Sequence, residues 1–179
     1  LGYVGSVSLW YNFPKVVRFF KKLLIIRPSS LLYIVNNAEH TEIKETLKSF
    51  SIKDNNFILE SKKHKEVPLA IETMDAGIFF LEPFYSKVAS APTKLGEFLA
   101  MGIPCVTSKN IGDLELIINE GGCGIVVNSF EDEDVEKCVN DLINLSLDLE
   151  VKQRCRNTAK KYFSLKEGVR KYSEIYKSL

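Results

Sequence analysis

Pro92-Thr93-Lys94-Leu95-Gly96-Glu97-Phe98-Leu99-Ala100-Met101-Gly102-Ile103-Pro104-Cys105-Val106-Thr107 strings together a helix start, a helix body, a glycine stop and a buried strand. Proline is favoured at the first helical position, where its missing N–H costs nothing, so Pro92 predicts a helix beginning there. Ala91 before it is a poor N-cap, which leaves the first-turn amides at Thr93 and Lys94 free. A helix start with uncapped N–H groups and a positive dipole end suits an anion, and Lys94 adds a full positive charge beside it. Leu95, Phe98 and Leu99 form the apolar stripe, so Glu97 projects off the core face and can accept hydrogen bonds from hydroxyls. The same residues also describe an ordinary solvated first turn, and both readings stand at this point.

Outward from this run, short apolar strands alternate with longer helical patterns to both ends of the chain. Strands are predicted at Gly2 to Gly5, Leu31 to Val35, Asn56 to Leu59, Gly77 to Leu81, Pro104 to Thr107 and Gly124 to Val127. Helical periodicity runs over Phe13 to Ile26, Thr41 to Phe50, Glu66 to Met74, Thr93 to Met101, Gly112 to Asn119 and Asp132 to Leu145. Two closing helices follow at Leu149 to Phe163 and Lys166 to Tyr176. The predicted fold is therefore α/β: a doubly wound, Rossmann-like parallel sheet of about six strands with helices on both faces. A chain of 179 residues suits one buried core and is short for two, so residues 1–179 read as a single domain. It opens without Met, directly on a strand and a glycine turn, and reads as an excised domain.

Composition excludes several function classes. The 24 Lys and Arg nearly balance the 23 Asp and Glu, which argues against a nucleic-acid binder held by phosphate attraction. Cys105, Cys123, Cys138 and Cys155 include no CxxC pair, and only His40 and His64 could assist them, so no metal site is expected. The cysteines read as reduced residues, which suggests the cytoplasm. No run approaches the ~18 apolar residues of a membrane span, and no signal peptide opens the sequence.

Ligands of open parallel sheets bind beyond the carboxyl ends of the strands. The segment Glu82 to Ala91, the Gly5 turn and the helix start at Thr93 should then converge on one crevice. In Gly2-Tyr3-Val4-Gly5-Ser6-Val7 the glycine would let backbone approach a phosphate, although GxGxxG is absent and a plain turn fits as well. Glu82 and Glu115 near strand or loop ends are either site acids or solvated residues. Gly121-Gly122-Cys123-Gly124 follows a helix and precedes a strand, the reverse of the phosphate-binding order, and reads as a tight connection. Pro14 to Ile26 is basic and amphipathic; Val16, Val17, Phe20, Leu23 and Leu24 favour a helix packed on the sheet over one lying on a membrane.

The pattern Pro-x-Lys-x-x-Glu-Phe-Leu-Ala-x-Gly-x-Pro-x-Val at 92–106 resembles the donor-site segment of GT-B glycosyltransferases, in the group 1, GT4-like retaining family. The resemblance covers nearly the whole chain. It implies the C-terminal, nucleotide-sugar-binding domain of a two-domain enzyme, whose N-terminal domain carries the acceptor site and several catalytic groups. The isolated domain would then bind donor weakly and catalyse nothing, and no catalytic residue is assigned within it. The implied donor is a UDP-, GDP- or other NDP-sugar, with no cofactor and no metal. Glu97 would take the ribose hydroxyls. Pro92, Thr93 and Lys94 would meet the diphosphate, with the Gly5 and Ser6 turn beside them. Gly112 stands where relatives carry a glycine-rich loop that lends N–H groups to the donor.

Two departures accompany the resemblance. Relatives often carry an Arg and a Lys shortly after the first glycine turn, where this chain has Ser6-Val7-Ser8-Leu9-Trp10-Tyr11-Asn12; Lys94 and Lys87 are the substitute cations. Relatives commonly place a second acid eight positions before the ribose glutamate, and here that position is Ala89. The resemblance points to a cytoplasmic enzyme of bacterial surface-polysaccharide or lipid-linked glycan assembly, with which peripheral association at the inner face of the membrane is compatible. A noncatalytic phosphoacceptor module is disfavoured, because no Asp ends the first strand. A degenerate, noncatalytic GT-B half serving as a nucleotide-binding scaffold remains the alternative.

Overall fold

The computed structural model describes residues 1–8, 10–82, 84–87 and 89–178, with the side chain of Lys87 outside that description. Six parallel strands form one sheet: β1 (Gly2–Val4), β2 (Leu32–Val35), β3 (Phe57–Glu60), β4 (Gly77–Ile78), β5 (Cys105–Ser108) and β6 (Gly124–Val127). Their order is β3-β2-β1-β4-β5-β6, so the winding reverses at the boundary between β1 and β4. β1 is short but paired on both edges, with Tyr3 opposite Ile34 of β2 and Gly2 opposite Gly77 of β4.

The helices are α1 (Phe13–Ile26), α2 (His40–Ser49), α3 (Val67–Glu72), α4 (Thr93–Ala100), α5 (Leu114–Gly121), α6 (Asp132–Leu147), α7 (Val151–Phe163) and α8 (Leu165–Lys177). Every predicted strand and helix is present, and the doubly wound α/β class is the one observed. α1 contacts α2 and α6, whereas α7 contacts α4 and α5. The apolar face of α1 is buried through Phe13, Val16, Val17, Phe19, Phe20 and Leu23. Its cationic face is engaged by α6: Arg18 pairs with Asp132, and Lys22 with both Asp132 and Glu136. Arg18 and Lys22 of the basic stripe thus make a helix–helix contact. Among the described residues no helix is long and apolar enough to cross a membrane.

Three boundaries differ from expectation for physical reasons. The ladder of β4 stops at Ile78, short of the predicted Leu81, because Leu81 turns away to form an antiparallel bridge with Tyr11. The Ser108 side chain takes over there, donating to the Leu81 carbonyl and accepting from the Leu81 amide. α5 starts at Leu114 and not at Gly112, whose φ of +44° lies outside the right-handed helical region. Pro92 is the N-cap of α4 and not its first residue. Its ψ of 117° is extended, and its carbonyl accepts from the Leu95 amide to begin the helix at Thr93.

Cys105, Cys123 and Cys155 are buried and free, and the Cys155 thiol points at the Cys123 carbonyl, 3.9 Å away. Burial pushes the Cys155 thiol up to about 12, so it stays protonated. No group of His, Cys, Asp or Glu among the described residues could hold a metal ion. Phe98 carries α4 onto the sheet: it is 1% exposed and its ring lies against Gly77 of β4. Truncation to Phe98→Ala is expected to cost roughly 3–5 kcal/mol of stability, read as a lower urea midpoint with an unchanged m-value.

Candidate functional site

β1 ends in a turn that only glycine makes easily. Gly5 has φ +101°, its N–H donates to the Val35 carbonyl at 2.9 Å, and its carbonyl accepts from Asn36 Nδ2 at 3.0 Å. The Tyr3 hydroxyl, rising from inside β1, donates to the Ser6 carbonyl. The turn is therefore gripped from the sheet beneath it and from the end of β2 beside it.

Asn36 is 3% exposed, and both ends of its amide are occupied. Oδ1 accepts from the Ala38 and Glu39 amides, while Nδ2 donates to Gly5 O and to Glu39 Oε2. Glu39 completes the arrangement. Its carboxylate accepts from Ser6 Oγ at 2.7 Å, from Val7 N at 3.0 Å and from Ser8 N at 3.2 Å, besides Asn36. Burial alone would raise this carboxyl, but the hydrogen bonds from Ser8, Ser6, Asn36 and Val7 outweigh it and hold it at about 2.

Lys94 lies beneath the same turn. A Cβ built on Gly5 would stand 2.9 Å from Lys94 Cε and 3.1 Å from Nζ, so only a bare glycine admits the lysine head. The residue is 7% exposed and its Nζ has no hydrogen-bond partner. The amine sits 3.4 Å from the centre of the Tyr11 ring and 4.8 Å from that of Tyr3. The sequence suggested a full positive charge; burial lowers this amine to about 7, against a weaker upward pull from Glu97 and Glu39.

Around Lys94 the first turn of α4 carries no side-chain cap, with Thr93 and Glu97 exposed and Pro92 buried. Glu97 is near enough to raise Tyr11, whose hydroxyl is pushed up first by burial and then by that carboxylate. Gly112 packs against the segment before α4: a Cβ there would stand 1.9 Å from the Ser90 carbonyl. Lys94 thus meets the Gly5 turn from below, with Ser6 next in that turn; Pro92 and Thr93 precede Lys94 at the start of α4, Glu97 stands one turn further along, and Gly112 packs against Ser90. Lys87 as a second cation lies outside the described side chains. Glu82 is half-buried, accepts from the Asn12 amide and pairs with Lys15 at 3.5 Å, while Glu115 is exposed on α5. Ala89, where a second acid was expected, is exposed.

Asn36 and Glu39 were not singled out in the sequence. Their signal was available: they follow directly on an apolar strand, at the carboxyl end where ligands of such sheets bind. A cavity of about 310 Å³ opens there between Gly5, Ser6, Asn36, Glu39, Lys62 and Val67. A larger cavity of about 360 Å³ lies at the opposite end of the strands, against Leu1, Leu31 and Ala76, away from these groups.

The fold has known counterparts. HepE from Anabaena, solved in complex with UDP, superposes with a TM-score of 0.75 at 16% identity, over 99% of this chain and 49% of that one. The pneumococcal O-GlcNAc transferase GtfA, solved with UDP and GlcNAc, gives 0.75 at 13% identity, over 99% of this chain and 35% of its own. WaaG, a glycosyltransferase involved in lipopolysaccharide biosynthesis, gives 0.66 at 18% identity, over 89% of this chain and 42% of its own. The chain spans less than half the length of each of these proteins. No curated protein sequence matches it. The sequence model of the group 1 glycosyl transferases matches residues 1–162, from β1 to the last turn of α7, and the chain belongs to that family.

Proposed function

We propose that this chain is the donor-binding domain of a retaining, GT4-like glycosyltransferase, the C-terminal half of a two-domain enzyme that moves a sugar from a nucleotide donor to a glycan or lipid-linked acceptor. The observation that carries this reading is the Lys94 amine: buried, without a hydrogen-bond partner, and set at an uncapped helix N-terminus under a glycine turn. A diphosphate supplies what that arrangement lacks, an acceptor for the amine and for the amides of Thr93 and Lys94. Glu97, exposed one turn further along, is the residue we assign to the ribose hydroxyls. HepE has also been solved with UDP-glucose, which favours a uridine donor for the first trial. Calorimetric titration and thermal shift with UDP, GDP, ADP and their sugars test the reading. Stabilisation by one nucleotide supports it, and no response to any of them leaves the degenerate scaffold.

The chemistry of Lys94 fixes the pH dependence of binding. An amine near 7 in the free protein is partly neutral at neutral pH, and an anion set against it draws its proton affinity upward. Nucleoside diphosphate binding at pH 7.5 should therefore take up a fraction of a proton, seen as a buffer-dependent binding enthalpy. Equal observed enthalpies in phosphate and Tris, whose ionisation enthalpies differ, would mean that no proton is taken up and would exclude Lys94 as the contact.

Folding obeys the same linkage. Between pH 7 and 10.5 the unfolded chain carries a proton on Lys94 that the folded one lacks, so this group makes stability rise with pH across that window. Below pH 7 the cost of burying the ammonium is present in full. Lys94→Met removes the charge and keeps the length, so it should unfold at higher urea than the parent at pH 6, with the gap closing by pH 10.5. The same variant should lose nucleotide affinity about 10–100-fold, the worth of a charge-assisted hydrogen bond. Glu97→Ala, in the intact enzyme, is expected to raise the donor KM about tenfold through the lost ribose contact; unchanged donor binding by calorimetry would remove that assignment.

A further inference from the structure

Successive backbone N–H groups that converge on one point form a concave anion seat. Val7 N and Ser8 N converge in this way on the segment between β1 and α1, and Ser6 Oγ joins them. The anion in that seat belongs to the chain itself. Both oxygens of Glu39 are engaged, Oε1 by Ser6 and Ser8, Oε2 by Val7 and Asn36. With those donors spent, the amine of Lys94, directly beneath Gly5, is a buried side-chain donor left without an acceptor.

We propose that Glu39 is a positioning residue for this site: its carboxylate fills the anion seat of the β1–α1 segment and, by closing that segment over Lys94, reserves the Lys94 amine for the donor diphosphate. The mechanical link is short. Glu39 and Asn36 hold each other and together hold Gly5 O, Ser6 Oγ and the amides of Val7 and Ser8. Gly5 in turn covers the lysine head. Because hydrogen bonding keeps Glu39 ionised down to about pH 2, the clasp stays closed at every physiological pH. The consequence for the diphosphate rests on the function proposed above; the consequence for Lys94 does not.

The groups that face the amine are Tyr3 of β1, Tyr11 of the following segment, Glu97 of α4 and Glu39 ahead of α2. This inventory gives Glu39 two opposing effects on Lys94. As a nearby negative charge it favours the ammonium, so its loss by itself would lower the proton affinity of the amine further. As a clasp it keeps water away, so its loss would raise that affinity toward the ordinary lysine value. The signs differ, and a titration separates them.

The experiment follows the Lys94 side chain by NMR in lysine-labelled protein, for the parent, Glu39→Gln and Glu39→Asp, with no nucleotide present. The clasp predicts that the Lys94 midpoint rises by about 1 pH unit or more in Glu39→Gln, against the electrostatic sign, and also in Glu39→Asp, which keeps the charge but shortens the reach. A midpoint that stays or falls in the folded variants overturns the proposal. Amide exchange in the parent needs no variant: Val7 and Ser8 should be protected, and rapid exchange at both would overturn it as well. UDP titration then reports separately on function. A tenfold weaker affinity in Glu39→Gln that accompanies the raised midpoint is the expected result. Absence of UDP binding to the parent would count against the proposed function and leave the clasp standing.

Discussion

The double pairing of β1, with β2 along one edge and β4 along the other, is the contact from which the site takes its geometry. The strand is too short to contribute much ladder energy itself, and its position does the work. The winding reverses across the β1–β4 boundary, so connections on the two sides lead away from each other and leave a crevice at the carboxyl ends. Gly5 must turn immediately at that point, and its lack of a side chain makes room for whatever lies below. Phe98 against Gly77 sets the depth of α4, and the lysine that begins that helix ends under the glycine. Tyr3, fixed inside the sheet, supplies both a ring near the lysine amine and a hydroxyl that holds the Ser6 carbonyl above it.

Two charged groups share this corner, and their hydrogen bonding is opposite. Glu39 accepts from four donors, which is close to what a carboxylate can use, and it is held ionised in consequence. Lys94 has three potential donors and no acceptor, only the faces of two tyrosine rings. Contact with aromatic faces offsets part of the cost of burying an ammonium, by about 0.5–2 kcal/mol, and leaves the larger part standing. A site that keeps one charge satisfied and its neighbour wanting has a built-in preference for an anion at one place in the crevice. The free energy withheld from folding at Lys94 is available on binding.

Much of this was legible in the sequence. The alternation of short apolar runs with helical patterns matches every strand and helix, and the run after Pro92 brings Lys94 against the Gly5 turn, the two segments the sequence had linked. What escaped was set by contacts between segments far apart in sequence. The end of β4 depends on Ser108 capturing Leu81, and nothing near Leu81 announces it. Pro92 becomes a cap because its carbonyl, and not its ring, begins the helix. Lys94 flanks the apolar stripe of α4, one turn before Phe98, but the depth of its burial follows from two tyrosines on and after β1, and from the glycine above, none of them local to α4. Asn36 and Glu39 follow the end of β2, where ligands of such sheets also bind, but no motif in their own segment marks them.

The departures from the wider family pattern form one arrangement. Where relatives often carry long cations after the first turn, this chain has Ser6, Val7 and Ser8. Short side chains leave the amides of that segment open to approach, and Glu39 approaches them. A long cation at Ser6 would compete for the same carboxylate and would fill the space over Gly5. Lys94 reaches the underside of Gly5 from α4, while the segment above is held by Glu39. The corner around Gly5 and Glu39 is thereby built from hydrogen-bonded, mutually fixed parts. Elsewhere among the described residues, Ala89 offers no polar side chain, and Gly112 packs against the backbone of Ser90. On the function proposed above, that fixed corner would hold the nucleotide, and discrimination among sugars would draw on groups outside it.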